Sequence, residues 1–299
     1  MNIAITGASG LVGRRLLKAL AKDGHTLTAL SRHAGTNLPP GVRLSVWDAM
    51  KGEPSADGLR DVDAVIHLAG APVAQRWTAQ AKQEIRESRV LGTRNLVQGL
   101  AKLSRKPLVL ISSSAVGYYG SRGDEILNEP TAPGNDFLSE VCVAWEKEAQ
   151  VAEALGIRVV RVRTGIVLDA HGGALQKMLT PFKLGIGGKL GDGRQWMSWI
   201  HLDDLVSLYQ FALTGSLSGP VNGVGTNPLS NADFTRALAA AVHRPAIFPV
   251  PRFALKLLFG EMAEMVLASQ RVMPQAAVAA GFRFRFQELT AALADVLKG

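Results

Sequence analysis

The first thirteen residues constrain this chain more than any other stretch. Asn2 to Thr6 form a short apolar run, and Gly7, Gly10 and Gly13 follow at three-residue spacing before a helical pattern from Arg14 to Lys22. Such a run reads as a buried parallel strand that feeds straight into a helix. Glycines at that junction have physical tasks: one permits the tight turn, one lets a diphosphate approach the backbone, and one lets the helix pack close to the sheet. The phosphate would rest on unpaired N–H groups of the helix start, with Ser9, Leu11 and Val12 between the glycines. The spacing is GxxGxxG rather than GxGxxG, and a purely structural βα turn is the alternative. The strand-turn-helix context favours dinucleotide binding.

The downstream pattern extends this reading. His25 to Leu30 is a second strand, ending at Ser31, Arg32 and His33. A dinucleotide fold tests the adenosine ribose at this point: an acid would bind a free 2′-hydroxyl, whereas an arginine accommodates a 2′-phosphate. No acid is present, so Ser31 and Arg32 point to NADP, with a solvated loop arginine as the alternative. Val42 to Val46 and Asp63 to Leu68 are further strands. The second of these is followed by Ala69-Gly70, small enough to let the backbone lie against a cofactor or simply to turn tightly.

Residues 78 to 103 read as a long helix with Thr78 as N-cap and Ile85, Leu96 and Leu100 on its apolar side. Lys106 to Ser114 is a strand ending in Ser112, Ser113 and Ser114. Hydroxyls at the carboxyl end of a parallel strand face the crevice where such folds bind ligands. A Pro/Gly-rich loop, a helix from Phe137 to Leu155 and a strand from Arg158 to Val162 complete the alternation, which implies a right-handed, doubly wound parallel sheet.

From residue 169 the texture changes to a glycine-punctuated segment, expected to supply loops over the crevice. Asp203 is expected to cap a helix to Leu213, and Pro220 to Val224 forms a short strand. Helical patterns follow at Asn231 to Val242, Phe253 to Gln270, Pro274 to Ala280 and Gln287 to Lys298. The fold class is therefore α/β: a Rossmann-type doubly wound parallel sheet with a smaller, mostly helical C-terminal substrate-side lobe. The expected division is a nucleotide-binding domain over 1–168, with sheet return elements around 197–226, and a lobe over 169–299.

Composition narrows the partners. The net charge is +8, from 33 Lys and Arg against 25 Asp and Glu, which suits an anionic ligand. Nucleic acid is not expected, because the basic residues are dispersed and aromatics make up only 6%. Cys142 is the only cysteine, so no intramolecular disulfide forms and a reducing compartment is expected. No leader precedes the first strand and no apolar run reaches the ~18 residues of a membrane span, so a cytoplasmic location and no membrane partner are expected. No His/Cys pair has metal-ligand spacing.

The ordered motifs TGASGLVG, Ser31-Arg32, HLAG, SSSAVGYYG and WIHLDD resemble the short-chain dehydrogenase/reductase superfamily, in its extended, epimerase-like branch. Arg76-Trp77, Ser88-Arg89, Tyr118 to Gly120, Phe137 to Glu146, SQRVMP and GFRF resemble, more narrowly, the atypical epimerase family proteins, some formerly labelled cell-division inhibitors. The resemblance covers essentially the whole chain. It implies NADP at the glycine turn, Ser31 and Arg32 on the 2′-phosphate, and Leu68, Ala69 and Gly70 beside the adenosine-diphosphate arm. It also implies cofactor contributions from Glu84 and Arg89 on the long helix, from Ser112, and from Gly165 and Val167 after the Arg158 strand. Spacing alone would leave Glu84 and Arg89 as a wet helix face.

One departure matters. Active members of the superfamily pair a strand-end serine with Tyr-x-x-x-Lys on the next helix, where the tyrosine transfers a proton and the lysine tunes its pKa. Here the stretch reads Phe137-Leu138-Ser139-Glu140-Val141, with neither group, and Lys147 lies about three turns further on. Ser114 is then a candidate to hydrogen-bond a substrate oxygen, and Tyr118 a candidate proton donor or an aromatic packed at the lobe interface. His201 is expected to be structural. The expected function is an NADP(H)-dependent oxidoreductase on a small carbonyl or alcohol, with a proton donor other than the usual pair and a homodimer as the expected assembly. The alternatives are a non-catalytic NADP-binding sensor and a nucleotide-sugar epimerase.

Overall fold

Ile3 and Ile5 send their side chains to one face of the first strand and Ala4 to the other, and all three are buried. A strand covered on both faces must lie inside a parallel sheet. A computed structural model, which describes residues 1–35 and 37–298, has it there. The sheet strands are β1 (Asn2–Thr6), β2 (Thr26–Ser31), β3 (Arg43–Val46), β4 (Ala64–His67), β5 (Val109–Ala115), β6 (Arg158–Thr164) and β7 (Gly219–Gly223). They run β7-β6-β5-β4-β1-β2-β3, all neighbours parallel. The order reverses direction between β1 and β4, which opens a crevice at their carboxyl ends.

Helices α1 (Leu11–Lys22), α2 (Ala79–Lys102), α3 (Phe137–Gln150), α4 (Gly173–Lys183) and α5 (Leu202–Thr214) follow in chain order. Leu16, Leu17 and Leu20 of α1 and Leu205, Leu208 and Tyr209 of α5 bury one sheet face. Leu96, Val97 and Leu100 of α2 and Ala149 of α3 bury the other. Thr78 caps α2 as its position predicts, its side chain accepting from Ala81 N–H. A third core joins α4 to α6 (Asn231–Ala241) and the helix Leu289–Val296 through Leu175, Leu179, Phe182, Phe234, Leu238 and Leu293. Ala277, Phe282 and Phe284 belong to the sheet-face core, so the C-terminal segment is welded to the sheet. Among the described residues no helix is long and apolar enough to cross a membrane.

Three expectations change. The glycine-punctuated segment after 169 holds a helix, α4, because Leu175, Leu179 and Phe182 share one buried stripe. The cap of α5 is His201, whose Nδ1 accepts from Asp203 N–H at 3.0 Å. Asp203 instead accepts from Arg15 Nε and Nη2 at 2.9 and 2.6 Å, tying α1 to α5. The helical pattern over 253–270 breaks at Gly260, whose φ of +60° ends α7 (Arg252–Phe259).

A buried polar chain joins β1, β4 and α2. Thr6 Oγ1 accepts from Leu68 and Ala69 N–H, each at 3.0 Å, so its proton turns to His67 Nδ1 at 2.8 Å. The ring proton therefore sits on Nε2, directed at Thr93 Oγ1 at 3.0 Å. Burial lowers the His67 pKa from 6.5 to about 4, so the ring is neutral at pH 7. The unfolded chain takes up a proton below pH 6.5 that the native state refuses, and stability present above 6.5 is lost as pH falls towards about 4. The slope is at most about 1.4 kcal/mol per pH unit. His67→Gln should flatten the fall in thermal midpoint between pH 7 and 4.5, and a curve parallel to that of the parent would contradict the assignment.

Candidate functional site

The crevice between β1 and β4 is shaped by glycine. Gly7 has φ +65°, and a Cβ on it would stand 2.8 Å from the Leu68 carbonyl carbon. A Cβ on Gly13 would stand 2.3 Å from Gly7 O, a backbone atom with no freedom to yield. These approaches bring the start of α1 over the ends of β1 and β4. That helix start has no side-chain cap and no acid in its first turn, leaving the N–H groups of Leu11, Val12 and Gly13 for an external acceptor. Ser9 is exposed beside it, with its carbonyl accepting from Arg14 Nη1 at 2.7 Å.

A cavity of about 740 Å³ continues from this turn between the sheet ends and the lobe. Ser114 and Thr164 contribute from the ends of β5 and β6, and Gly165 and Val167 from the segment just after β6; α3 contributes Phe137, Val141, Cys142 and Trp145. Phe137 meets Trp77 edge to face at 5.3 Å. Thus the positions that carry tyrosine and lysine in active relatives place an apolar wall here, and Lys147 lies on the exposed side of α3.

Behind Ser114 lies a network that sequence reasoning missed. Ser114 Oγ donates to Glu146 Oε1 at 2.7 Å, and Glu146 accepts from Arg163 Nε and Nη2 at 2.8 and 2.9 Å. Arg163 Nη1 also donates to Tyr119 Oη and the Glu129 carbonyl, each at 3.0 Å, and Tyr119 Oη donates to Asn222 Oδ1 at 2.7 Å. All are buried. Burial alone would lower the Arg163 guanidinium, but hydrogen bonds and charge from Glu146 outweigh it and hold it raised. Burial pushes the Tyr119 hydroxyl up to about 12, and burial with the Glu146 charge does the same to the Cys142 thiol. Neither ionises near neutrality. The one available signal was a glutamate between Trp145 and Ala149 on the buried side of α3.

The expected site residues fall in several places around the crevice and the cavity. Gly7, Gly10, Leu11, Val12, Gly13, Leu68, Ala69 and Gly70 gather at the crevice, and Leu11, Gly165, Val167, Arg89 and Ser114 line the cavity. Arg89 Nη1 donates to the Ile85 carbonyl at 3.0 Å, and the guanidinium packs over Gly70, where a Cβ would lie 3.0 Å from Cζ. Burial lowers its pKa. Ser31 and the exposed Arg32 end β2 at the far side of the glycine turn. Ser112 is buried opposite His67, below the rim, with its Oγ donating to the Ser113 carbonyl at 3.3 Å.

Two further residues face neither the crevice nor the cavity. Glu84 points outward from α2, because Ile85 takes the buried position next to it. Tyr118 is absent from the cavity wall: the Arg163 guanidinium covers its ring at 3.4 Å and its edge meets Tyr119 at 5.3 Å, so the expected proton donor is a packed aromatic. His201 is structural as expected, stacked on Phe286 at 3.9 Å. Among the described residues no group of three His, Cys, Asp or Glu side chains is placed to hold a metal.

Residues 3–224 match the model of the NAD dependent epimerase/dehydratase family, and residues 250–296 match a domain of unknown function, DUF1731. The epimerase family protein YfhF of Bacillus subtilis is 38% identical, the match covering 99% of this chain and 98% of that one. The structure of human epimerase family protein SDR39U1 (isoform 2) with NADPH superposes with a TM-score of 0.89 at 32% identity, covering all of both chains. A UDP-glucuronic acid 4-epimerase from Bacillus cereus in complex with NAD shares the fold at TM-score 0.79 and 18% identity, covering 100% of this chain and 97% of its own. With a glycine-shaped crevice at the β1/β4 reversal, a family match over most of its length and relatives alike from end to end, the chain belongs to the NAD dependent epimerase/dehydratase family, as an atypical extended short-chain dehydrogenase/reductase.

Proposed function

We propose that the protein is an NADP(H)-dependent oxidoreductase of a small carbonyl or alcohol substrate, with Ser114 and Glu146 doing the proton work of the absent Tyr-Lys pair. The crevice fits the cofactor: the bare helix start of α1 accepts a diphosphate, and Gly7 and Gly13 have no room for the Cβ that would fill the cradle. NADPH in the human relative supports the phosphorylated form. Ser31 and Arg32 would meet the 2′-phosphate, Leu68 to Gly70 the adenosine-diphosphate arm, and Arg89, Gly165 and Val167 the part reaching into the cavity. When bound, the cofactor supplies or takes a hydride at nicotinamide C4.

The observation that carries the reaction is the 2.7 Å bond from Ser114 Oγ to Glu146. It commits the serine proton to a carboxylate, so the serine oxygen, at the cavity wall, is left to accept from a substrate hydroxyl. As that hydroxyl is oxidised, its proton passes to Ser114 Oγ while the serine proton passes to Glu146; reduction runs the same transfers backwards. Arg163 fixes the carboxylate so that it can act in one geometry only. The apolar residues at 137 and 141 favour a second reading, a sensor that binds NADP(H) without turnover. We place the protein in the cytoplasm, where a lone buried thiol stays reduced.

Arg32→Ala should raise the Kd for NADPH roughly tenfold or more, about 1.4 kcal/mol, and leave NADH nearly unchanged; equal losses would remove the NADP assignment. Ser114→Ala should cut NADPH-dependent reduction of any carbonyl the parent turns over by about 10² or more at unchanged NADPH affinity. Intact turnover would exclude the relay, and NADPH binding with no oxidation by a carbonyl panel would favour the sensor.

A further inference from the structure

The lobe-side half of the cavity is chemically unlike a nucleotide-sugar site. Its surface is made by Trp77, Phe137, Met178, Met197, Met265 and Val266. Most polar atoms between them already have partners within the chain; the buried Trp145 Nε1, on the α3 side of the cavity, is an exception among the lining side chains. Trp77 Nε1 donates to the Val73 carbonyl at 3.0 Å, and Trp196 Nε1 donates to Asp124 at 2.7 Å. Gln270 Nε2 donates to the Val116 carbonyl at 3.0 Å; Ser198 Oγ donates to the Gln270 carbonyl at 2.7 Å and accepts from Val272 N–H at 2.9 Å. Asp136 accepts from both the N–H and the hydroxyl of Ser139 at 2.9 Å. A ligand that enters here finds a wall whose hydrogen bonds are mostly made within the chain, which rewards apolar contact and penalises buried polar groups.

Charge points the same way. Lys82 and Arg89 are the cations of the wall, against Asp136, Glu261 and Glu264. Lys82 is paired with Glu261, bridging α2 to the lobe, and its ammonium also lies 5.2 Å from the Phe137 ring. Arg89 packs over Gly70, on the path assigned above to the dinucleotide. Among the described residues lining the cavity no further cation stands to neutralise a second diphosphate, which would meet carboxylates in a low-dielectric cleft. The aromatic edges and three thioethers suit a flat ring, since methionine sulfur packs well at ring edges and adapts its shape.

We infer that the substrate is an uncharged, largely apolar carbonyl compound or alcohol bearing a ring, and not a nucleoside diphosphate sugar. The inference rests on the reading of the site as an NADP(H)-dependent oxidoreductase. Its test is therefore run beside an independent titration of NADPH.

Tryptophan fluorescence and thermal shift of the NADP⁺-loaded full chain would be titrated with an alkyl-substituted aromatic ketone series, and in parallel with UDP-glucose and UDP-glucuronate. The ketones should saturate and tighten as alkyl carbons are added, while the UDP-sugars give no saturable change. Trp77→Ala should weaken the ketones at least tenfold, with NADPH affinity as the control for an intact fold. Because that variant removes one fluorophore, the thermal shift reads its affinity, and Met265→Ala provides a second wall variant. Saturable UDP-sugar binding that the ketones displace, no saturable binding of either class, or ketone affinity indifferent to both variants would overturn the inference. If NADPH fails to bind while the ketones still saturate, the cofactor reading falls and the substrate class stands.

Discussion

Everything in this molecule is arranged around the contact where the end of β1 meets the end of β4. The Thr6 hydroxyl gathers the amides of Leu68 and Ala69, Gly7 lies against the Leu68 carbonyl, and Gly13 lies against Gly7. The crevice is narrow because each approach excludes a Cβ. Neutral His67 extends the clamp to Thr93, so α2, which carries Arg89, is fixed to the same point. Backbone contacts of this closeness position a phosphate cradle more rigidly than side chains on a loop could.

The second organising interaction is the buried pair of Glu146 and Arg163. Desolvating two ions costs several kcal/mol each, and such a pair is retained only when further hydrogen bonds complete it. Here Ser114, Tyr119 and the Glu129 carbonyl do so. Breaking the pair from one side would leave an uncompensated charge, at a cost of about 3–5 kcal/mol. Its location directly behind a cavity-lining serine is what gives it chemical interest. The Arg163 guanidinium also explains why Tyr118 is packed away from the cavity, since the ring forms its upper cover.

The two halves of the cavity then have different characters. The half near the glycine turn offers N–H groups and the Arg89 cation, and the lobe half offers aromatic and thioether surface with most of its polar atoms hydrogen-bonded within the chain. Serine 114 sits at the boundary. A hydride acceptor or donor on one side and an apolar ring on the other would meet at that hydroxyl.

Local pattern alone specified a great deal. The strand, three glycines and helix at the N-terminus follow from short-range sterics and periodicity, as do the alternation that builds the parallel sheet, the Thr78 cap and the crevice residues Gly7 to Gly13. These properties repeat within a few residues and are legible without knowing what packs on them. The pairing of Ser114 with Glu146, 32 residues away, and of Glu146 with Arg163, 17 away, was not. Nor was the wall built from Trp77, Phe137, Met197 and Met265, the outward turn of Glu84, or the exchange of the α5 cap from Asp203 to His201. Each depends on which side chain a distant element buries or covers, and only the assembled layers decide that.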